Sequence, residues 1–218
     1  MLENIIPYLF VKKRLILTKK LFIQAYLKIK DYQVVLNGKP IFKDENHDIQ
    51  TFLKNVYKTL EIKYSKFFKM DSLSKLAFLG AEILLNKTAL VDRNTAIIFS
   101  NNASSLDTDR KYQNSINDRE NYFPSPAVFV YTLPNIGIGE ISIKRQLKSE
   151  NAFFIFEKYN ANFHHTYENC LIQTEKCNSV LAGWVNIDED SCEAFLYLVS
   201  EKGNIEHTEK NLIRIYKD

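Results

Sequence analysis

Along this chain the apolar positions switch between a period of two and a helical period, and the switches outline an α/β protein. A run from Leu21 to Ile29, with Phe22, Ile23 and Tyr26 among its apolar members, reads as a first strand. Between Tyr32 and Phe42 the pair Asn37-Gly38 separates two short β-prone runs. This is the strongest hairpin signal in the sequence, because Asn and Gly tolerate the left-handed backbone such turns require. A polar turn follows, and from Ile49 the apolar residues Phe52, Leu53, Val56, Tyr57 and Leu60 recur at helical spacing. Asp71 is placed to cap a second helix, whose stripe runs through Leu73, Leu76, Ala77, Gly80, Ile83 and Leu84. Its small residues Ala77 and Gly80 allow close approach to a sheet.

Asn94 to Ser100 predicts a buried strand, and Asn101 to Thr108 a polar loop, either a functional rim or a surface crossover. After the Pro-bracketed turn at Pro124 and Pro126, a stretch entered through Asn135, Gly137 and Gly139 reads as helix. Ala152 to Phe156 then predicts a strand that turns at once, through Glu157, Lys158, Tyr159 and Asn160, into another helix carrying Phe163, Tyr167, Cys170, Leu171 and Thr174 on one face. A strand, sharp turn and helix in that order is how α/β enzymes place a nucleophile at a helix N-terminus, where free N–H groups stabilise an anion. Here the turn holds neither Cys nor Ser. Val180 to Val185 and Ala194 to Ser200 read as strands, and Gly203-Asn204 turns the chain into a last hairpin arm, Ile205 to Tyr216, that carries His207.

Composition narrows the class. The 218 residues suit one domain, 1–218, with 1–20 as a possible basic N-terminal extension, and 45% hydrophobic residues supply a core. A net charge of +3 gives no case for nucleic acid, and no apolar run approaches the length that spans a bilayer. The first residues place acid before the apolar run and bases after it, the wrong order for a secretory signal. Three cysteines without paired spacing point away from a disulfide framework and towards a reducing, cytoplasmic setting. Lys12, Lys13, Arg14, Lys19 and Lys20 form a basic patch that is either a solvated face or a dock for an acidic partner.

Several apparent motifs dissolve on inspection. The G-x-G at Gly137 and Gly139 lacks its third glycine, Ser142 standing there, and Pro134 precedes it, so no dinucleotide site is expected. Adjacent His164 and His165 with Cys170 and Cys177 lack metal-ligand spacing, so no metal is expected. Cys170 reads as a core residue, and His47 as a surface one.

Four segments together resemble the N-terminal half of the β-ketoacyl-acyl-carrier-protein synthases, of the thiolase-like superfamily, over roughly residues 20 to 200. They are Lys69-Met70-Asp71 with the helix after it, Thr95 to Ser100 with its polar loop, Ser125 to Asn151, and Ser179 to Trp184. In the last, Trp184 replaces the second of the family's paired glycines. Aligning Asn151 and Gly183 without gaps puts Lys158, beside Glu157, where the family has its acyl-accepting Cys. The resemblance implies a mixed β-sheet packed with helices in α-β-α layers and no cofactor. It also implies that the family's catalytic histidines and lysine belong to a second half that this sequence does not match. Decarboxylative condensation needs a thiolate and donors for the enolate, so the chain is not expected to condense acyl groups on its own. A non-catalytic, chain-length-factor-like subunit of a bacterial fatty-acid, polyketide or aryl-polyene pathway is the leading expectation. Its partners would be a ketosynthase or a second copy, and an acyl carrier protein on the basic patch. The family's dimer edge falls on Ala152, Phe153, Phe154, Ile155 and Phe156, residues that suit a plain core equally well. A carrier-binding or self-associating module and a cysteine-dependent acyltransferase are the alternatives. A half-length chain is further expected to leave one apolar sheet face bare.

Overall fold

A computed structural model describes residues 19–45, 48–87, 92–189 and 191–218. Lys12, Lys13, Arg14 and His47 lie outside the described residues. Strand β1 (Phe22–Lys30) is followed by the hairpin β2 (Gln33–Leu36) and β3 (Lys39–Lys43), then α1 (Ile49–Thr59), a short 3-10 turn (Ser65–Lys69) and α2 (Ser72–Lys87). Next come β4 (Thr95–Asn101), α3 (Leu106–Asn114), α4 (Pro126–Val130), α5 (Ile136–Arg145) and β5 (Asn151–Ile155). The chain closes with α6 (Ala161–Gln173), β6 (Ser179–Asp188), β7 (Ser191–Ser200), β8 (Ile205–Glu206) and α7 (Glu209–Lys217).

The strands form one mixed sheet in the order β3-β2-β1-β7-β6-β4-β5, with β8 paired to β1. β4 runs parallel to both β5 and β6, whereas β1, β2, β3 and β7 join by antiparallel pairing. All seven residues of β4 are buried, as expected of a parallel strand covered on both faces. Asn37 and Gly38, at φ 51° and 76°, make the predicted hairpin turn.

Helices cover both faces. On one, α1, α2 and α5 pack on Leu27, Ile97, Phe99, Leu181 and Leu196. On the other, α6 and α7 close over Ile98, Ala182, Trp184 and Tyr197. The expectation of a bare apolar face is therefore corrected. Part of the cover comes from a segment the periodicity had assigned to a hairpin arm: only Ile205–Glu206 is strand, and α7 then buries Leu212 and Ile215 four-square on the sheet. A bulge in β1 between Ile23 and Ala25 lets Ile23 join the α6/α7 side while Ala25 and Leu27 face α2.

Close approach fixes the layer spacing. A Cβ at Gly80 would stand 2.7 Å from the Leu196 side chain, so α2 seats on β7 as its small residues predict. Asp71 caps that helix by accepting from the Ser74 N–H at 3.0 Å. Gly183 is more constrained: its φ is +146°, and a Cβ there would fall 1.9 Å from the Phe195 carbonyl oxygen. Gly183→Ala must part β6 from β7 and should lower stability by more than about 2 kcal/mol, read as a lower urea midpoint with an unchanged slope.

Candidate functional site

The turn after β5 keeps the strand–turn–helix order of a nucleophile elbow, but none of residues 156–160 takes the left-handed backbone that strains the crest of such a turn. The Phe156 N–H donates to the Asn101 carbonyl at 2.8 Å, extending the parallel pairing by one step. The chain then reverses into α6, whose first turn is capped by the Asn160 side chain accepting from the Phe163 N–H at 3.0 Å. An aromatic stack locks strand to helix: Phe154 meets Phe163 edge-on at 4.7 Å and Phe156 meets it at 4.8 Å. Glu157 and Lys158 are exposed at the crest. They line an open cavity of about 380 Å³ with Tyr159, Asn162, Glu209 and Ile213. An ammonium at the positive end of a helix gains nothing from the dipole, and an amine that captured a thioester would end as a stable amide. The elbow presents a shape without a transfer group.

Beneath it lies a fully buried polar network. His164, on the first turn of α6, places Nε2 2.8 Å from Ser100 Oγ and Nδ1 2.9 Å from Glu168 Oε1. Tyr197 donates to the same Glu168 oxygen at 2.8 Å, and Tyr159 donates to Tyr197 at 3.1 Å, linking the elbow to the carboxylate. Glu168 Oε2 faces His207 Nε2 at 2.8 Å. The two are in ion-pair contact off the straight hydrogen-bond line, and neither atom has another partner among the described residues. Burial pushes the Glu168 carboxyl up, but the hydrogen bonds and charges of His164 and His207 outweigh it and hold the group below the usual carboxylate range. The phenols of Tyr159 and Tyr197 are raised well above theirs by burial and by the Glu168 charge.

Hydroxyl, imidazole and carboxylate stand here in the order of a hydrolytic triad. The surroundings deny them that chemistry, because Ser100, His164 and Glu168 are 0% exposed and the Ser100 hydroxyl also lies 3.4 Å from the Gly183 carbonyl oxygen. The network is a structural clamp joining α6, β4, β7 and the β8–α7 turn. Sequence reading missed it. The spacing of four between His164 and Glu168 on a predicted helix was visible, but His207 sat in a segment assigned to the wrong element.

The remaining candidates fall elsewhere. Cys170 lies in the third turn of α6, away from its N-terminus and only partly buried. Burial pushes the Cys177 thiol up to about 11 and the Cys192 thiol to about 12, the opposite of activation. Lys19 pairs with Glu201 at 2.7 Å and Lys20 with Glu206 at 3.4 Å. Ala152 and Phe154 of β5, and Phe156 just after it, pack towards α6, and Phe153 packs towards the α2 side. Ile155 is 49% exposed. β5 hydrogen-bonds to β4 alone, leaving its outer backbone edge free among the described residues.

Glu168→Gln removes the charge that both histidines face and should cost about 3 kcal/mol or more. Because the folded carboxyl is held below its unfolded value of about 4.3, the stability it supplies is present above that pH. It is lost as pH falls through the lower folded value. Urea midpoints between about pH 3 and pH 7 should therefore drop more steeply for the wild type than for Glu168→Gln, the two curves converging at the acid end. With thiols so placed, Cys177 and Cys192 should react with a disulfide reagent at neutral pH only after unfolding, which a labelling time course with and without denaturant reads directly.

No protein-family model matches the sequence, and no curated protein matches it. Solved structures do. The ishigamide ketosynthase/chain length factor superposes with a TM-score of 0.62 at 13% identity, over 83% of this chain and 62% of that one. The complex of a ketosynthase (ApeO) with its chain length factor (ApeC) from Xenorhabdus doucetiae gives 0.57 at 13% identity, over 91% of this chain and 90% of that one. The AntDE:AntF complex, a type II polyketide synthase acyl-carrier protein with its ketosynthase bound to the hexaketide, gives 0.56 at 12%, over 85% and 63%. This chain thus spans less than two thirds of the first and third of these chains and nine tenths of the second. At such identities the likeness speaks for the fold, and the mixed sheet with helices on both faces is the thiolase-like fold of ketosynthases and their chain length factors.

Proposed function

We propose that this chain is a non-catalytic, chain-length-factor-like subunit that pairs with a ketosynthase through the outer edge of β5. The observation that carries the reading is the edge itself. Among the described residues β5 ends the sheet with unpaired backbone groups and an exposed Ile155, and its five residues, Asn-Ala-Phe-Phe-Ile, include no charge or proline. Natural edge strands that stay alone are usually guarded by lysine, proline or a bulge. An unguarded one suits strand addition by a partner. The strand leads into an elbow whose crest residue is Lys158, so the paired complex would take its nucleophile from the partner.

A match over nine tenths of both chains, in a ketosynthase–chain length factor complex, supports the same reading. That match runs over 91% of this chain and 90% of the other. The pathway would be of the fatty-acid, polyketide or aryl-polyene kind, with an acyl carrier protein delivering substrate to the complex. Residues 12–14, with Lys19 and Lys20, would be the basic contribution to that encounter, and the ion pairs of the last two make it a weaker one than free lysines would give. All three thiols lie outside the elbow, and none of the geometry favours a cysteine-dependent acyltransferase.

The test is co-expression with the ketosynthase encoded nearest to it, followed by affinity purification and native mass spectrometry. A one-to-one complex is expected. Ile155→Arg, a change at an exposed side chain, should abolish the complex while leaving the circular dichroism spectrum and urea midpoint of the isolated chain within about 0.5 kcal/mol of wild type. Recovery of this chain only as a monomer or homodimer would overturn the proposal.

A further inference from the structure

On the α2 side of the sheet, remote in sequence from the elbow, the first turns of α1 and α2 meet α3 and α4 around a cavity of about 300 Å³. Three ammonium-bearing side chains, Lys69, Lys75 and Lys111, line it. Lys75 is half-buried and makes no ion pair among the described residues; its Nζ donates to Gln50 Oε1 at 3.2 Å. Lys69 makes no ion pair there either, and Lys111 is paired to Asp107 at 2.7 Å. The one carboxylate on the wall, Asp71, is already committed. Its Oδ1 accepts from the Ser74 N–H at 3.0 Å and its Oδ2 from the Thr108 hydroxyl at 2.8 Å.

Against the carboxylates of Asp71 and Asp107 the three ammonium groups still leave a cationic excess on the wall, and the half-buried Lys75, which has lost part of its hydration, would gain from an anion beside it. Lys75 registers this: burial lowers its pKa, Asp71 works the other way, and Lys111 adds to the fall. The polar wall is built. Ser72 and Thr108 are 4% and 3% exposed, and Ser72 Oγ is held by the Gln50 amide at 2.5 Å. Met70, Val128 and Tyr131 supply an apolar part of the lining.

We propose that this cavity is a binding site for a small organic oxyanion, a phosphate or carboxylate on a short apolar stem. Lys75 and Lys111 take the charged head as point-charge donors, and Met70, Val128 and Tyr131 take the stem. The site stands independently of the ketosynthase pairing, since none of its residues lies on β5 or the elbow.

Calorimetric titration of the whole chain with butyl phosphate, hexanoate, inorganic phosphate and butanol tests it. One-site saturation by butyl phosphate or hexanoate is expected, and whichever of the two binds tighter identifies the head group. Inorganic phosphate should bind more weakly and butanol not measurably. Lys75→Met should weaken the organic anion about tenfold, the loss typical of one charged hydrogen bond, and Lys202→Gln, on an exposed turn, should leave it unchanged. Should Lys75→Met fail to fold, Lys111→Glu, at an exposed position, must give the same direction of change. Absence of saturable binding to the wild type, binding unaffected by both variants, or inorganic phosphate binding as tightly as the organic anions would overturn the proposal.

Discussion

A carboxylate taken fully out of water has to find its charge balanced within the protein, and Glu168 is the point at which this fold meets that demand. It draws His164 from its own helix, Tyr197 from β7 and His207 from the turn before α7. Through Tyr197 it also holds Tyr159 and so the elbow. Each of these groups is positioned by a different stretch of chain, so the carboxylate is satisfied only when the sheet, α6 and α7 are all in place. Burying an ion costs several kcal/mol unless its partners are well placed. The interaction therefore adds selectivity for one arrangement of the α6/α7 layer rather than mere adhesion, which apolar packing by Trp184, Leu212 and Ile215 already supplies.

Much of the fold was legible in local pattern. The Asn37-Gly38 turn, the Asp71 cap and the close seat of Gly80 each follow from the chemistry of one or two residues, and each appears where that chemistry places it. The elbow was likewise readable, because a short β-branched and aromatic run followed at once by a capped helix has few other solutions. What escaped was long-range. Ile205 to Tyr216 alternates well enough to pass for a strand. Its helical character becomes plain only with Thr208 as a cap accepting from the Asn211 N–H at 3.2 Å and with Leu212 and Ile215 turned to the sheet. With α7 misread, His207 had no reason to meet Glu168, and the clamp stayed invisible although half of it lay on one helix. The lysine-lined cavity escaped for the same reason, since its walls come from four elements that are separate in sequence.

The two faces of the sheet divide the molecule's chemistry. One carries the clamp and the elbow, where aromatic packing is dense and the reactive groups are either buried or absent. The other carries α2, whose N-terminal turn opens on the cavity while Glu82 further along holds Arg145 of α5 at 2.6 Å. Strand β4 separates them and is dry throughout. A ligand in the cavity would lie among helices on the α2 side, and a partner on β5 would extend the sheet edge that pairs with β4 residues 97–101.

The uncharged edge of β5 also bears on how such a chain survives in a cell. A strand that welcomes a partner does not distinguish well between the intended one and another copy of itself, or any nascent chain with an exposed β segment. While unaccompanied, such an edge, open among the described residues, would be a template for misassembly, whereas the opposite edge strand β3 carries Lys39, Pro40 and Lys43. The chain's abundance would then be governed less by its own folding stability than by the supply of the subunit that caps the edge, with surplus copies passing to chaperones and proteases. Were β5 to pair as proposed, balanced synthesis of the two chains, and translation close together in space, would follow as a requirement of proteostasis from five residues without a lysine or a proline.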